Sequence, residues 1–163
     1  MEMAKKIVLM GQFGVGKSSI ARRYLLDVFK KDYLPTLGVQ IKKKVIEMPS
    51  GNLISMIIWD LEGFSSVSKT RASYLLGSNG FIYVFDLTRP FTYYHLEEEI
   101  DFIKNEYPQV TLRVIGNKKD LENSNKVEQF LKGKNITVDN FVSAKTGEGI
   151  QELFTDLANT FGT

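Results

Sequence analysis

Eight consecutive residues near the start of the chain, Gly11 to Ser18, have the types and the spacing that suit binding of a phosphate chain. They read Gly-Gln-Phe-Gly-Val-Gly-Lys-Ser, and glycines at this spacing leave backbone N–H groups free to wrap around phosphate oxygens. The apolar run from Ile7 to Met10 before them is typical of a buried strand, and apolar residues follow Ser18 at helical spacing. The pattern therefore predicts a phosphate-binding loop, or P-loop, between a strand and a helix.

The helix that follows this loop favours anion binding, because a helix N-terminus carries unpaired N–H groups and a partial positive charge. Lys17 supplies a full charge for the β- and γ-phosphates, and the Ser18 hydroxyl suits Mg²⁺, which shares its ligands with substrate phosphates. A glycine-rich turn that binds nothing is the alternative, and the flanking strand and helix argue against it. The predicted phosphate contacts of the loop are Gly11, Phe13, Gly14, Val15, Gly16, Lys17, Ser18 and Ser19.

A carboxylate follows the third predicted strand, at the end that a parallel sheet places beside the P-loop. Asp60 comes directly after the apolar run 53–59 and could hold a water molecule on Mg²⁺. The backbone N–H of Gly63, three residues later, could reach a γ-phosphate. This segment therefore predicts a metal ligand and one further phosphate contact.

Two more polar segments follow later strands and suit a guanine base. Asn117-Lys118-Lys119-Asp120 comes after the strand predicted at 110–116, and the Asp120 carboxylate can accept hydrogen bonds from N1–H and the exocyclic amine of guanine. Adenine offers no such pair of donors. Ser143-Ala144-Lys145 follows the sixth predicted strand, where the backbone N–H of Ala144 could donate to guanine O6.

The composition limits the class of protein. The chain has 163 residues, 43% of them hydrophobic, so we predict one domain over residues 1–163. The net charge is +2, with 21 basic and 19 acidic residues, which is not the basic excess typical of nucleic-acid binding. The chain has no cysteine, no apolar run long enough to span a membrane and no signal-peptide core, and we predict a cytoplasmic protein.

Strand-like and helix-like patterns alternate along the chain, which predicts an α/β protein with a largely parallel sheet covered on both faces. The short turn 49–52 leaves no room for a crossover helix, so the second and third strands should form an antiparallel hairpin. Strands are predicted at 5–11, 39–48, 53–59, 80–86, 110–116 and 136–142. Helices are predicted at 17–28, 66–77, 92–106, 124–133 and 148–161.

The ordered set of motifs resembles the Ras superfamily of small GTPases over essentially the whole chain. The resemblance implies the P-loop NTPase fold, with a six-stranded mixed sheet whose second strand is antiparallel and about five helices. It also implies a GTP-hydrolysing switch that binds GTP or GDP with Mg²⁺. Effectors, exchange factors and activating proteins would read switch I at about 30–40 and switch II at about 60–77. The residues do not assign a branch of the superfamily.

The resemblance also gives roles to residues that their local pattern leaves open. Thr36 lies nineteen positions after Lys17 and is similar to the switch I threonine that contacts Mg²⁺ and the γ-phosphate; a simple turn residue is the alternative. Lys17 and Thr36 are the implied catalytic residues, and Ser18, Thr36 and Asp60 the implied metal ligands. Phe29 is similar to the aromatic residue that packs on guanine, with core packing as its alternative. The implied guanine contacts are Phe29, Asn117, Lys118, Asp120, Ser143, Ala144 and Lys145.

The chain departs from the family where hydrolysis is controlled. Phe64 stands where most members have the glutamine that orients the attacking water, and a phenyl ring can neither donate nor accept a hydrogen bond. We therefore predict slow intrinsic hydrolysis. The alternative is that another group substitutes, such as Gln12, Gln40 or a residue from a partner. The alternative function is a nucleotide-binding interaction module with negligible hydrolysis, which Phe13 and Phe64 favour. A P-loop kinase is a weaker alternative, because it leaves the two guanine segments unexplained.

Two further departures lie close to the expected γ-phosphate. Phe13 replaces a small P-loop residue, so its ring either obstructs an arginine finger or folds away over the loop. Glu62 replaces another small residue and either points outward, pairs with Lys69 or Arg71, or weakens GTP binding relative to GDP.

The sequence gives no sign of a direct membrane anchor. Prenylation and palmitoylation need a cysteine, and Glu2 stands where myristoylation needs glycine. We expect attachment to a membrane surface only if a lipidated tail lies outside this sequence.

Overall fold

A computed structural model describes residues 2–30, 38–64 and 66–162. Its six strands form one sheet in the order β2-β3-β1-β4-β5-β6. The strands are β1 Glu2–Met10, β2 Val39–Glu47, β3 Leu53–Leu61, β4 Gly80–Asp86, β5 Thr111–Asn117 and β6 Asn140–Phe141. The α-helices of the described ranges are α1 Lys17–Leu26, α2 Ala72–Leu75, α3 Leu96–Glu106, α4 Asn125–Lys132 and α5 Ile150–Phe161. Short 3₁₀ helices lie at Val67–Lys69 and Pro90–Thr92.

The pairing of the strands confirms the predicted mixed sheet. β1 runs parallel to β3 and β4, β5 runs parallel to β4 and β6, and β2 is antiparallel to β3. The hairpin turns where the backbone N–H of Met48 donates to the carbonyl of Asn52 at 2.8 Å, and Gly51 adopts a positive φ there. A short turn of this kind cannot hold a crossover helix, which is why this one pair runs antiparallel.

Two apolar cores cover the two faces of the sheet, because its central strands are apolar on both sides. Every residue of β4 is buried. On one face α1 and α5 pack together, and the rings of Tyr24 and Phe154 stack with centroids 3.9 Å apart. On the other face α3 and α4 cover the sheet with residues such as Leu96 and Leu131. No helix in the described ranges is long and apolar enough to cross a membrane.

The extents of two predicted helices were wrong. The helix expected at 66–77 consists of the 3₁₀ turn Val67–Lys69 and the single turn α2, which are separated by the extended backbone of Thr70. Val67 and Leu75 are each buried, so both short turns pack on the core although the backbone between them is extended. The helix expected at 92–106 begins only at Leu96, because the residues before it form the proline-initiated 3₁₀ turn.

Two strands, β1 and β6, differ from their predicted lengths for reasons of pairing. β1 begins at Glu2, since its first residues find partners in β3 from Leu53 onward. β6 is reduced from 136–142 to two residues. Beside it, the backbone N–H of Val114 donates to the Asp139 carboxylate at 2.7 Å, so a side chain replaces a strand partner.

Candidate functional site

The predicted motifs that the structure describes meet at one edge of the sheet, outside the carboxyl ends of its parallel strands. The P-loop follows β1, Asp60 is the second-last residue of β3, Asn117 ends β5 and Ser143 follows β6. Ligands of open α/β sheets bind at this edge. The fold thus brings together segments that are more than a hundred residues apart in the sequence.

The P-loop needs glycine at two positions because the surrounding backbone leaves no room for a side chain. A Cβ on Gly11 would lie 2.3 Å from the carbonyl oxygen of Val84 in β4. A Cβ on Gly16 would lie 2.2 Å from Nδ2 of Asn117. Both glycines also have positive φ, at 146° and 106°. The loop is therefore held directly against β4 and against the segment predicted to bind the base.

Lys17 is buried within the loop that it serves. Its side-chain nitrogen donates to the carbonyls of Gly11 and Gln12, each at 3.0 Å. Burial lowers the pKa of Lys17 to about 8, although the nearby carboxylate of Asp60 opposes that shift. An ammonium group has three donors, and these carbonyls use two. Burying the charged ammonium of Lys17 in this site costs free energy, and a bound anion would offset that cost.

Asp60 and Ser18 form the part of the site that could hold a metal ion. The Ser18 hydroxyl donates to Oδ2 of Asp60. Oδ1 of Asp60 is buried and accepts no hydrogen bond within the described part of the chain. Burial raises the pKa of Asp60, while the Ser18 hydrogen bond and the Lys17 charge oppose this. A buried carboxylate oxygen with no donor fits Mg²⁺, a hard ion that prefers oxygen ligands. The third predicted ligand, Thr36, lies outside the described residues.

Asn117 connects the P-loop to the segment predicted to bind the base. Its side-chain Nδ2 donates to the carbonyl of Val15 at 2.9 Å, and its Oδ1 accepts from the backbone N–H of Ala144 at 3.2 Å. The Ala144 N–H predicted to reach guanine O6 therefore already has an acceptor, which a bound base would have to share or replace. Asn117 is buried, so these bonds fix the relative position of the two segments.

Ser143 aims the carboxylate that is predicted to recognise guanine. Its hydroxyl donates to Oδ1 of Asp120 at 2.7 Å and accepts from the backbone N–H of Thr146 at 3.1 Å. Asp120 itself is exposed, with Oδ2 and a further lone pair of Oδ1 to offer. Ser143 thus positions the Asp120 carboxylate. The sequence placed Ser143 in the base-binding segment but did not predict this hydrogen bond.

The remaining predicted base contacts are less tightly held. Lys118 has a positive φ of 70°, and its side-chain nitrogen lies 2.8 Å from Oδ2 of Asp86. Lys145 is exposed, and Arg23 donates to its backbone carbonyl at 2.5 Å. Phe29 is partly exposed and is not among the described side chains that pack on the two apolar cores.

The sequence reasoning missed two residues at this edge. Asp86 ends β4 with a buried side chain, and Arg89 follows it within hydrogen-bond reach of the P-loop. The same signal that singled out Asp60, a carboxylate at the carboxyl end of a buried strand, could have identified Asp86. No comparable signal marks Arg89.

Phe13 and Gly63 touch where the P-loop meets switch II. A Cβ on Gly63 would lie 2.5 Å from the backbone nitrogen of Phe13 and 2.6 Å from Cδ1 of its ring. The ring is 53% exposed. The ring therefore lies beside Gly63 of switch II, which argues against the alternative in which it folds away over the loop.

Phe64 turns its side chain toward α3 and the sheet. Its ring meets Tyr83 edge-on with centroids 6.3 Å apart and packs on the core beneath α3. Its backbone N–H donates to the carbonyl of Gly11 at 3.4 Å. Of the proposed substitutes for the missing glutamine, Gln12 donates its amide to the carbonyl of Phe91 at 3.3 Å, and Gln40 is exposed.

Glu62 is exposed, and its carboxylate accepts a hydrogen bond from the backbone. Its Oε2 accepts from the N–H of Gly38 at 3.3 Å, and its own N–H donates to the Gly38 carbonyl at 2.8 Å. The ion pairs of the described residues do not include Glu62 with Lys69 or Arg71. Glu62 thus connects the end of switch I to switch II.

The sheet order and the loop between β1 and α1 are those of the P-loop class of nucleotide-binding proteins. The chain matches the model of the Ras family over residues 6–162 and belongs to that family. It is 32% identical to the Ras-related protein Rab-4 of Dictyostelium discoideum, over 97% of this chain and 79% of that protein. It is also 32% identical to the Ras-related protein RabC of the same organism, over 94% of this chain and 81% of that protein.

A third relative, the Ras-related protein RabT1 of Dictyostelium discoideum, is 34% identical over 91% of this chain and 70% of its own length. Members of the family are small GTP-binding switch proteins that bind GTP or GDP with Mg²⁺, hydrolyse GTP, and contact regulators and effectors. The protein is accordingly a small GTP-binding protein of the Ras superfamily, with its branch unassigned.

Proposed function

We propose that this protein is a GTP/GDP switch that binds its nucleotide with Mg²⁺ and hydrolyses GTP slowly when it acts alone. The observation that supports slow hydrolysis most directly is the packing of Phe64. Its ring stands where most family members carry glutamine, and it packs against Tyr83 without presenting any polar group to the P-loop. The attacking water then lacks the group that would orient it.

The proposed nucleotide contacts follow the arrangement of the site. The P-loop takes the phosphates with its backbone N–H groups and Lys17, and the N–H of Gly63 adds a contact to the γ-phosphate. Ser18, Thr36 and Asp60 would hold Mg²⁺, which when bound would offset charge on the phosphates. The base would be held by Phe29, Asn117, Lys118, Asp120, Ser143, Ala144 and Lys145.

Lys17 and Thr36 are the proposed catalytic residues, since phosphoryl transfer depends mainly on positioning and on stabilisation of charge. The buried ammonium of Lys17 is already fixed by the carbonyls of Gly11 and Gln12, so it needs little reorganisation as charge develops on the phosphates. This arrangement supports tight binding with or without the missing glutamine.

Regulators would bind through residues 30–40 and 60–77, and an activating protein would have to supply its own catalytic group. The ring of Phe13 lies against Gly63, where an arginine side chain reaching the phosphates would meet it. We therefore propose that activation differs from simple insertion of an arginine finger. We also propose that residues 1–163 form one domain and that the protein is cytoplasmic.

A second candidate function is an interaction module that holds its nucleotide with negligible hydrolysis. The packing of Phe64 and the contact of Phe13 with Gly63 favour it, because the first leaves position 64 without a polar side chain and the second places an apolar ring beside Gly63, the expected γ-phosphate contact. The intact pair of Lys17 and Asp60 favours the switch instead. The two functions differ in whether GTP turns over at all.

Both proposals can be tested on purified protein. Nucleotide released by heat is identified, and one turnover of added GTP with Mg²⁺ is then followed. The switch predicts bound GDP or GTP and a rate constant below about 10⁻⁴ s⁻¹, less than the intrinsic rate of a glutamine-bearing relative. Bound nucleotide with no product after days of incubation would support the interaction module. Bound adenine nucleotide, or no nucleotide under any condition, would refute both.

A further inference from the structure

Arg89 is a cation beside the P-loop that the family motifs do not include. Its guanidinium NH1 donates to the backbone carbonyl of Phe13 at 2.9 Å. The same nitrogen lies 3.0 Å from the position that a Cβ on Gly14 would take. The guanidinium thus covers one side of the peptide that joins Phe13 to Gly14, and any side chain at Gly14 would displace it.

The position of Arg89 is set by a compact turn and by a buried carboxylate. Its backbone N–H donates to the carbonyl of Asp86 at 3.1 Å, and its own carbonyl accepts from the Thr92 hydroxyl at 2.8 Å. Oδ2 of Asp86, whose side chain is fully buried, lies 3.8 Å from Arg89 NH1 and 2.8 Å from the nitrogen of Lys118. Asp86 therefore faces one cation at the phosphate end of the site and one at the base end.

The hydrogen bond from Arg89 to the Phe13 carbonyl affects the N–H of Gly14, which lies on the other side of the same peptide unit. A peptide unit is planar and trans, so the N–H of Gly14 points away from the Phe13 carbonyl that Arg89 binds. A hydrogen bond from a charged donor is stronger than one from a neutral donor, and it polarises the group that accepts it. The Gly14 N–H, one of the predicted phosphate donors, is thereby fixed in direction and made a stronger donor.

We propose that Arg89 is a positioning residue for the nucleotide phosphates, acting through the Phe13–Gly14 peptide to slow release of a guanosine di- or triphosphate. This inference rests on the proposed function, since it assumes that guanine nucleotides occupy the P-loop. The Arg89 guanidinium also places a positive charge beside the loop, 2.9 Å from the Phe13 carbonyl. Arg89 therefore contributes to the positive potential that a phosphate chain would meet.

Release of a fluorescent GDP analogue into excess GDP, with Mg²⁺ present, measures this role. Arg89→Met keeps the length of the side chain but removes its charge and donors, and it should speed release by about tenfold. Arg89→Lys keeps the charge without the planar fork and should give a smaller increase. Arg113→Met is the matched control, because Arg113 also donates to a backbone carbonyl, that of Leu112 at 3.3 Å, but in the first half of β5. Its release rate should equal that of the wild type.

Two further readouts separate this role from a general loosening of the fold. GDP and IDP, which lacks the exocyclic amine read by Asp120, should be released faster by the same factor from Arg89→Met. In the GDP-bound protein the amide proton of Gly14 should shift upfield in Arg89→Met and stay unchanged in Arg113→Met, as measured by ¹H–¹⁵N NMR.

The outcomes distinguish the two proposals. A wild-type protein that fails to bind GDP overturns the proposed function before any variant is made. If the wild type binds GDP, an Arg89→Met variant with the wild-type release rate, or with an unmoved Gly14 amide, overturns this inference alone. A change in the ratio of GDP to IDP release would also contradict it, since the effect would then reach the base end of the site.

Discussion

The two ends of the site are held by different kinds of contact. At the base and phosphate end, buried polar groups form hydrogen bonds with one another. The Asn117 side chain bonds to the backbone of Val15 and Ala144, and the Lys17 ammonium bonds to two loop carbonyls. At the switch II end, the side chains of Phe64 and Val67 pack on the apolar core, with Phe64 against Tyr83 and Val67 fully buried. Polar networks of the first kind fix a geometry that recognises one ligand. Apolar packing of the second kind holds a segment in place but offers no group to a reacting water.

A polar contact between switch II and α3 sharpens this contrast. Oε2 of Glu99 in α3 accepts from the backbone N–H of Val67 at 2.7 Å, and burial raises the pKa of that carboxyl. The bond points away from the P-loop toward α3. The two ends therefore differ in what they offer a ligand. The P-loop and the base segments present the polar groups that nucleotide binding needs, whereas the side chain at position 64 packs on the core.

The largest expected effect concerns recognition of the base. Asp120→Ala removes the acceptor for two guanine donors and should weaken GDP binding by about 10³-fold, because a site built for hydrogen bonds loses most when they are unmade. Calorimetric titration measures it. Asp101→Ala, an exposed carboxylate on α3, is the control and should bind as the wild type does. An affinity for GDP that survives Asp120→Ala would contradict the guanine assignment.

Ser143→Ala should have an intermediate effect at the same end. The hydroxyl of Ser143 fixes Oδ1 of Asp120 at 2.7 Å, and its loss frees the carboxylate to rotate. GDP affinity should fall by about tenfold. Competition of GDP with IDP checks the cause: the preference for GDP should shrink if Asp120 loses its orientation. An undiminished preference would show that Ser143 acts on stability alone.

The pH dependence of binding tests the buried cation of the P-loop. Burial lowers the pKa of Lys17 from 10.5 to about 8, so the free protein loses this charge as the pH rises through 8. A bound phosphate chain stabilises the charged form, and binding must then take up a proton. Between pH 7 and 8.5 the affinity for GDP should fall by about fourfold.

Titration in two buffers with different heats of ionisation measures that proton directly. Uptake should be small at pH 7 and should approach one proton per site at pH 8.5. Equal uptake at the two pH values would show that Lys17 is charged in the free protein.

The smallest effect is expected at Glu62, whose carboxylate is exposed and bonded to the N–H of Gly38. Because it does not face the P-loop unpaired, Glu62→Gln should change the ratio of GTP to GDP affinity by less than about twofold. Competition between the two nucleotides provides the ratio. A large gain for GTP would mean that the carboxylate repels the γ-phosphate.

The sequence predicted the binding end well because each of its motifs lies in a few consecutive residues at the end of an apolar strand. Asp60 and Asn117 could be placed at the carboxyl ends of their strands, because each directly follows an apolar run. Asp86 and Arg89 were missed because each acts singly, and only the fold shows that they meet Lys118 and Phe13. Their role depends on where side chains point, which a one-dimensional pattern does not encode.

The switch II end was harder to predict for a physical reason. The spacing of apolar residues in 66–77 favoured one helix, but Val67 and Leu75 are each buried separately, with the extended residue Thr70 between them. Tertiary packing outweighs helical propensity in such a short segment. The identity of Phe64 predicted the loss of a polar group, and its packing on Tyr83 could be seen only in the structure.

The most direct test of slow hydrolysis compares Phe64→Gln with Phe64→Leu in a single turnover of GTP. Both variants remove the ring from Tyr83, but only glutamine can orient a water molecule. We predict that Phe64→Gln hydrolyses GTP about tenfold faster than the wild type and that Phe64→Leu stays near the wild-type rate. Equal rates for the two variants, or brisk hydrolysis by the wild type without a partner, would contradict the account.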